Sequence, residues 1–230
     1  MNRSIIQAVL GVLLLFAALP LTAQQADALL KKVRDKLNSV KSYEAQGMIK
    51  TDVSFIKIPE SKVTVLFKNP DKFRIIKQEG ISVVPKGGIN FNLSSLFAGN
   101  NYSSVMAGKA AIGGKPVTIV KLIPLDEKGD IVLSTLYIDE KESVIRKAQT
   151  TTRNNGTYEM NLEYGRYTSY GLPDKVMFVF DTKEYKLPKG VTMEYDAGKK
   201  EQPKQSLQGK VEIAYSNYQV NKPISDNMFK

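Results

Sequence analysis

The chain of 230 residues contains no cysteine and no histidine. Without cysteine there is no disulfide, no thiolate nucleophile and no thiolate metal site. Without histidine the commonest general base and the commonest zinc ligand are also missing. The remaining acids, among them Asp71, Asp126, Glu127, Asp130, Asp139, Glu140, Glu142 and Asp174, fall mostly where turns are predicted, and their solvating and turn-forming roles account for them there. Gly87-Gly88 and Gly113-Gly114 lack the spacing and the following lysine and serine of a phosphate loop. No enzymatic activity, cofactor or metal site is expected.

Long hydrophobic runs are scarce too, with one exception. Asn2-Arg3 precedes an apolar run from Ile5 to Leu19, and Leu21-Thr22-Ala23 ends in small residues, the pattern of a cleaved secretory signal whose product begins at Gln24. An apolar run of about 15 residues is shorter than the roughly 20 needed to span a bilayer. Residues 1–23 are therefore predicted to be a signal peptide, residues 24–230 a single domain, and the product a secreted, periplasmic protein. The signal segment holds one of the 33 basic residues and none of the 23 acidic ones, so the remainder stays strongly basic. Its lysines are scattered along solvent faces, with no aromatic-interleaved basic motif for nucleic acid. Weak attraction to anionic lipid headgroups is the expectation that the charge leaves.

What the sequence has in quantity is alternation. In Val63–Ile76, Val63, Val65 and Phe67 alternate with Thr64, Leu66 and Lys68, and Phe73 and Ile75 flank Arg74. Asn69-Pro70-Asp71 lies between the two runs, so an antiparallel hairpin is predicted. Similar strands are predicted at Tyr43–Phe55, Val117–Leu125, Ile131–Asp139, Ser143–Thr152, Tyr158–Tyr167, Val176–Asp181 and Lys210–Tyr218. Asn155-Gly156 is the strongest turn signal between them. Ahead of the strands, Leu29, Leu30, Val33, Leu37 and Val40 recur at helical spacing and predict one amphipathic helix over Ala26–Ser42.

Seven of the 16 glycines lie between Gly80 and Lys115, and there the regularity lapses. Short apolar islands remain at Ile81–Val84, Ile89–Phe91, Leu93–Phe97 and Tyr102–Met106. Ser94-Ser95 and Ser103-Ser104 are read as openings of brief helices at Leu96 and Val105. The fold class is α+β: nine or ten antiparallel strands in up-and-down order with one helix before them, and strands this numerous must curl. One helix is too small to cover such a sheet, so Leu96, Phe97, Val105 and Met106 either complete a dry core or close a pocket for an apolar guest.

Several segments resemble the LolA-like periplasmic lipoprotein carriers, the outer-membrane lipoprotein-sorting proteins. These are the helix leading into Val40-Lys41-Ser42-Tyr43 and Ala45, the run Phe67-Lys68-Asn69-Pro70-Asp71-Lys72-Phe73-Arg74, Ile123-Pro124, and Val176–Asp181 followed by Pro188-Lys189-Gly190-Val191. Asn69 stands where members often have an arginine that ties the lid shut. The resemblance implies a curled, unclosed antiparallel half-barrel with an N-terminal helix and a helical or loop lid, whose apolar cavity holds the acyl chains of lipoproteins, passed as a monomer from an inner-membrane donor complex to an outer-membrane acceptor. It also leaves room for an RseB-like lipid-sensing regulatory module without carriage. Strand alternation nominates Val65, Phe67, Phe73, Ile75, Ile119, Leu133, Phe178 and Phe180 as cavity residues, with Leu29, Val33, Leu96, Phe97 and Met106 from the covering segments.

Overall fold

The computed structural model describes residues 19–53, 56–57, 59–77, 93–97, 101–126, 129–181 and 208–229. The predicted islands at 81–84 and 89–91, the turn at 188–191 and most of the predicted signal segment lie outside them.

The helix α1 (Leu19–Asn38) takes in the predicted junction between Ala23 and Gln24. It buries Ala26, Leu29, Leu30 and Val33 on one side and exposes an Lys31 to Asp35 ion pair at i,i+4 on the other. The helix stops at Asn38, short of the predicted Ser42. Ser39 Oγ donates to Lys36 O (2.6 Å) and Lys41 Nζ to Asn38 O (2.9 Å), which satisfies carbonyls of the last turn. Val40 follows outside the helix and is still buried.

The strands are β1 (Ser42–Val53), β2 (Ile56–Lys57), β3 (Ser61–Lys68), β4 (Lys72–Lys77), β5 (Tyr102–Ile112), β6 (Lys115–Pro124), β7 (Ile131–Asp139), β8 (Val144–Thr152), β9 (Thr157–Glu163), β10 (Lys175–Asp181) and β11 (Gln208–Val220). They form one antiparallel sheet in the order β4-β3-β1-β11-β10-β9-β8-β7-β6-β5, with β2 paired to the far end of β1. The sheet is an unclosed half-barrel, as the resemblance implies.

Two features differ from expectation. The order is not simply up-and-down, because the last strand, β11, inserts beside the first. Consecutive strands β4 and β5 are thereby sent to opposite edges of the sheet, with residues 78–101 as their connection. Of that connection, Leu93–Phe97 forms a 3-10 turn, in line with the serine signal at 94–95. The second serine signal, at 103–104, instead lies inside β5. There Tyr102, Ser104 and Met106 occupy one face and Ser103 and Val105 the other. A serine on each face weakens the alternation, and a bulge at Gly108, with φ of 106°, interrupts it. The covering segment is therefore shorter than the predicted stretch from Gly80 to Lys115.

A second bulge shapes the inner face. Gln46 pairs with Asn217 but Gly47 pairs with Tyr215, leaving Ser216 as the extra residue of β11. A Cβ at Gly47 would lie 2.6 Å from Ala214 O, so the close approach needs glycine. Because of the extra residue, Tyr215 and Tyr218, three apart in sequence, both turn inward.

Candidate functional site

The inner face of the sheet is the candidate site. Its apolar side chains make one buried cluster that reaches from β3, through β1, β11, β10, β9, β8 and β7, to β6, and Phe73 of β4 and Met106 of β5 pack against it at the two edges. The helix α1 and the turn Leu93–Phe97 lie over it, with Leu93, Leu96 and Phe97 all buried.

Polar contacts at both ends of α1 set its position. Toward its N-terminus Ser104 Oγ donates to Asp27 Oδ1 (2.5 Å). In the middle, the Arg34 guanidinium sits 5.2 Å from the centroid of the Phe97 ring and 5.5 Å from that of Tyr102, and donates to the Tyr102 hydroxyl. Arg34 thus holds the turn, the helix and the edge strand β5 together. Toward the C-terminus Lys36 Nζ donates to Glu142 O, in the β7–β8 turn. That turn is fixed by Asp139, whose Oδ2 accepts from Arg146 Nε (2.9 Å) and Nη2 (2.8 Å) and whose Oδ1 accepts from Glu142 N (3.1 Å). Burial alone would raise the Asp139 carboxyl; the Glu142 amide and the Arg146 guanidinium outweigh it and hold the carboxyl below its usual value.

Eleven of the thirteen nominated residues belong to this face. Leu29 and Val33 come from α1, Val65 and Phe67 from β3, Phe178 and Phe180 from β10, and Leu96 and Phe97 from the turn, and all are in the buried cluster. Phe73, Ile75 and Met106 are partly buried against it. Ile119 and Leu133 are corrected to the outer face. In β6 the inward residues are Val120 and Leu122, and in β7 they are Leu136 and Ile138. Both faces of these strands carry aliphatic residues, so alternation alone does not choose between them. The inner face there also includes a buried pair of small polar residues, Ser134 Oγ 3.5 Å from Thr150 Oγ1. Hydroxyls at those positions point toward the wrong parity when the strands are read from sequence.

At one end the face is aromatic. Tyr43 stacks on Phe67 with centroids 5.2 Å apart and meets Tyr218 edge-on at 5.3 Å. Tyr218 lies 5.0 Å from Tyr215 and 4.9 Å from Tyr167. Further along, Phe178 lies 4.9 Å from Tyr158 and 5.5 Å from Phe180. Burial pushes the phenols of Tyr43, Tyr164, Tyr215 and Tyr218 well up, so they stay neutral donors at physiological pH. Sequence reasoning missed Tyr215 and Tyr218 because the bulge between them breaks period-2 counting.

A cavity of about 20 Å³ lies at this aromatic end, between Leu37, Val40, Tyr43, Phe67, Leu93, Leu172 and the paired tyrosines. It has room for about one water. A larger concavity, about 440 Å³, is lined by Gln149, Glu159, Asn161, Met177, Val179 and Lys210 among others. Its polar and charged lining does not suit an acyl chain. Among the described residues, no group of three or more acidic side chains is placed to hold a metal ion. No described helix is long and apolar enough to cross a membrane.

No protein-family model matches the sequence, and no curated protein matches it. Solved structures do match in shape. A LolA superfamily protein from Nitrosomonas europaea is 13% identical, with a TM-score of 0.58 over 89% of this chain and 97% of that one. A DUF1329 family protein from Desulfovibrio piger is 9% identical, with a TM-score of 0.57 over 91% and 97%. A Vibrio parahaemolyticus domain named as an outer membrane lipoprotein-sorting protein is 9% identical, with a TM-score of 0.54 over 90% and 97%. At such identities the likeness is one of fold, and with the half-barrel and its inner face described above it leads to one statement: the chain has a LolA-like fold.

Proposed function

We propose that this protein is a periplasmic carrier that shields lipid acyl chains, those of lipoproteins in transit to the outer membrane, on the inner face of its half-barrel. The observation that carries the reading is the apolar face running from edge to edge of the sheet, over which the described residues place one helix and one short turn. Burying a methylene is worth about 0.8 kcal/mol, so a chain of about 16 carbons gains on the order of 10 kcal/mol before losses. The chain takes the place that Leu93, Leu96 and Phe97 fill in the closed form. Leu29, Val33, Val65, Phe67, Phe73, Ile75, Met106, Phe178 and Phe180 then line it, and the turn is the part that yields. Residues 1–23 serve as the export signal and residues 24–230 as one carrier domain.

The fold shared with a domain named for lipoprotein sorting supports this reading. An inner-membrane complex supplies the cargo and an outer-membrane acceptor removes it, since release needs a competing site. The test is binding of a synthetic acylated lipopeptide against its unacylated form. Binding that requires the acyl chain, and is lost in Phe178→Glu, supports carriage; equal behaviour of the two peptides would reject it.

A further inference from the structure

The tyrosines at the aromatic end of the inner face divide into two groups. Tyr218 Oη donates to Pro173 O (2.7 Å), Tyr164 Oη to Ile145 O (2.9 Å) and Tyr167 Oη to Asn217 Oδ1 (3.0 Å). Tyr43 and Tyr215 are 8% and 7% exposed, and among the described residues neither hydroxyl has a hydrogen-bond partner; neither is a fully buried orphan, as Asp174 Oδ1 is, so each reaches open space. Both line the cavity of about 20 Å³. Two uncommitted donors beside one water-sized space are placed to bond an acceptor that enters it.

The rest of the lining restricts what that acceptor is. Leu37, Val40, Phe67, Leu93, Leu172 and Val176 are apolar, and among the described residues no charged side chain lines the cavity. A carboxylate or phosphate would be desolvated there without a counter-ion. A neutral carbonyl oxygen is the size of a water, accepts two hydrogen bonds, and brings no charge.

We infer that Tyr43 and Tyr215 form the polar end of the acyl site, donating hydrogen bonds to the carbonyl oxygen of the ester or amide that links an acyl chain to the rest of its lipid. This rests on the acyl-carrier reading and adds to it a preference for acyl linkages over bare or ionised chains. The stem of the chain then runs from the tyrosines past Phe67 toward Phe178. The bulge at Ser216 is the backbone device that brings Tyr215 to this position beside Tyr218.

The test is displacement of N-phenylnaphthylamine from the full protein by methyl palmitate, by methyl hexadecyl ether, which keeps the chain but lacks the carbonyl, and by palmitate ion. The wild-type protein is expected to bind the ester roughly tenfold more tightly than either competitor, the effect of a hydrogen bond made only by the carbonyl. Tyr43→Phe and Tyr215→Phe each keep the ring and its packing. Each is expected to narrow the preference, and the double variant to abolish it while ether binding stays within about twofold of wild type. Equal affinity for ester and ether in the wild type would overturn the assignment, as would a preference that survives in the double variant; either leaves acyl carriage standing. Failure of all three compounds to displace the probe would overturn carriage itself and the hydroxyl assignment with it.

Discussion

Replacing Phe97 with alanine separates a displaceable turn from a fixed part of the core. Phe97 is 3% exposed and lies under the Arg34 guanidinium at 5.2 Å. Its burial is worth about 2–3 kcal/mol, and the cation–π contact contributes about 1 kcal/mol in a site shielded from water. Truncation therefore shifts the balance between docked and undocked turn by about 3 kcal/mol toward undocked. If an acyl chain binds where the turn sits, apparent affinity rises with the fraction of undocked protein. The gain saturates once the undocked form predominates, and at least about a tenfold tightening is expected. Titration of wild type and Phe97→Ala with methyl palmitate measures this directly. Because the turn opens locally, global stability in urea should fall by less than the 3–5 kcal/mol usual for truncating a core phenylalanine. A variant that retains its strand signal in circular dichroism but binds the ester no better than wild type, or worse, would refute the displacement argument.

Other consequences are sharp enough to measure. Asp139→Asn leaves Arg146 without its buried partner and should cost about 3 kcal/mol or more in urea unfolding at neutral pH. Since the Asp139 carboxyl is held below its usual value, its stabilisation is present above the unfolded-state value near pH 4 and lost as pH falls through the lower folded-state value, so wild type and variant should converge in acid. Gly209→Val puts a Cβ 2.5 Å from Phe180 Cζ and should destabilise by about 2 kcal/mol, with Phe180→Leu recovering part of the loss in thermal melts. Asp226 accepts from Lys68 and Lys72, both at 2.7 Å, and its carboxyl is drawn down to about 2. A carboxyl chemical-shift titration should find it there at low salt and nearer its usual value at high salt, because the pair is exposed.

Where one periodicity governed a stretch, its residues could be read from the sequence. The stripe of α1 and the hairpin β3–β4 follow directly from spacing, since each has one apolar and one mixed or polar face. Parity failed where both faces of a strand are apolar, as with Ile119 against Val120 and Leu133 against Leu136. It failed again where a bulge resets the count, as between Tyr215 and Tyr218. The edge strand β5 was hidden by Ser103, Ser104 and Gly108, which suit a loop as well as an edge. Nothing local in the sequence indicates that β11 inserts beside β1, because that pairing is decided by contacts distant along the chain. Nor does a motif distinguish Tyr43 and Tyr215 from the tyrosines whose hydroxyls are already bonded; only the assembled cavity does. Arg34 was legible only as a polar residue of the helix, yet it clamps the turn that covers the inner face.

The central claim is that the inner face carries acyl chains in the cell. Mass spectrometry of organic extracts from the protein purified under native conditions tests it most directly. The account predicts co-purifying acylated species, lipoproteins among them, at near-stoichiometric amounts in wild type and strongly depleted in Phe178→Glu. Extracts free of lipid, or the same lipid content in both proteins, would contradict it.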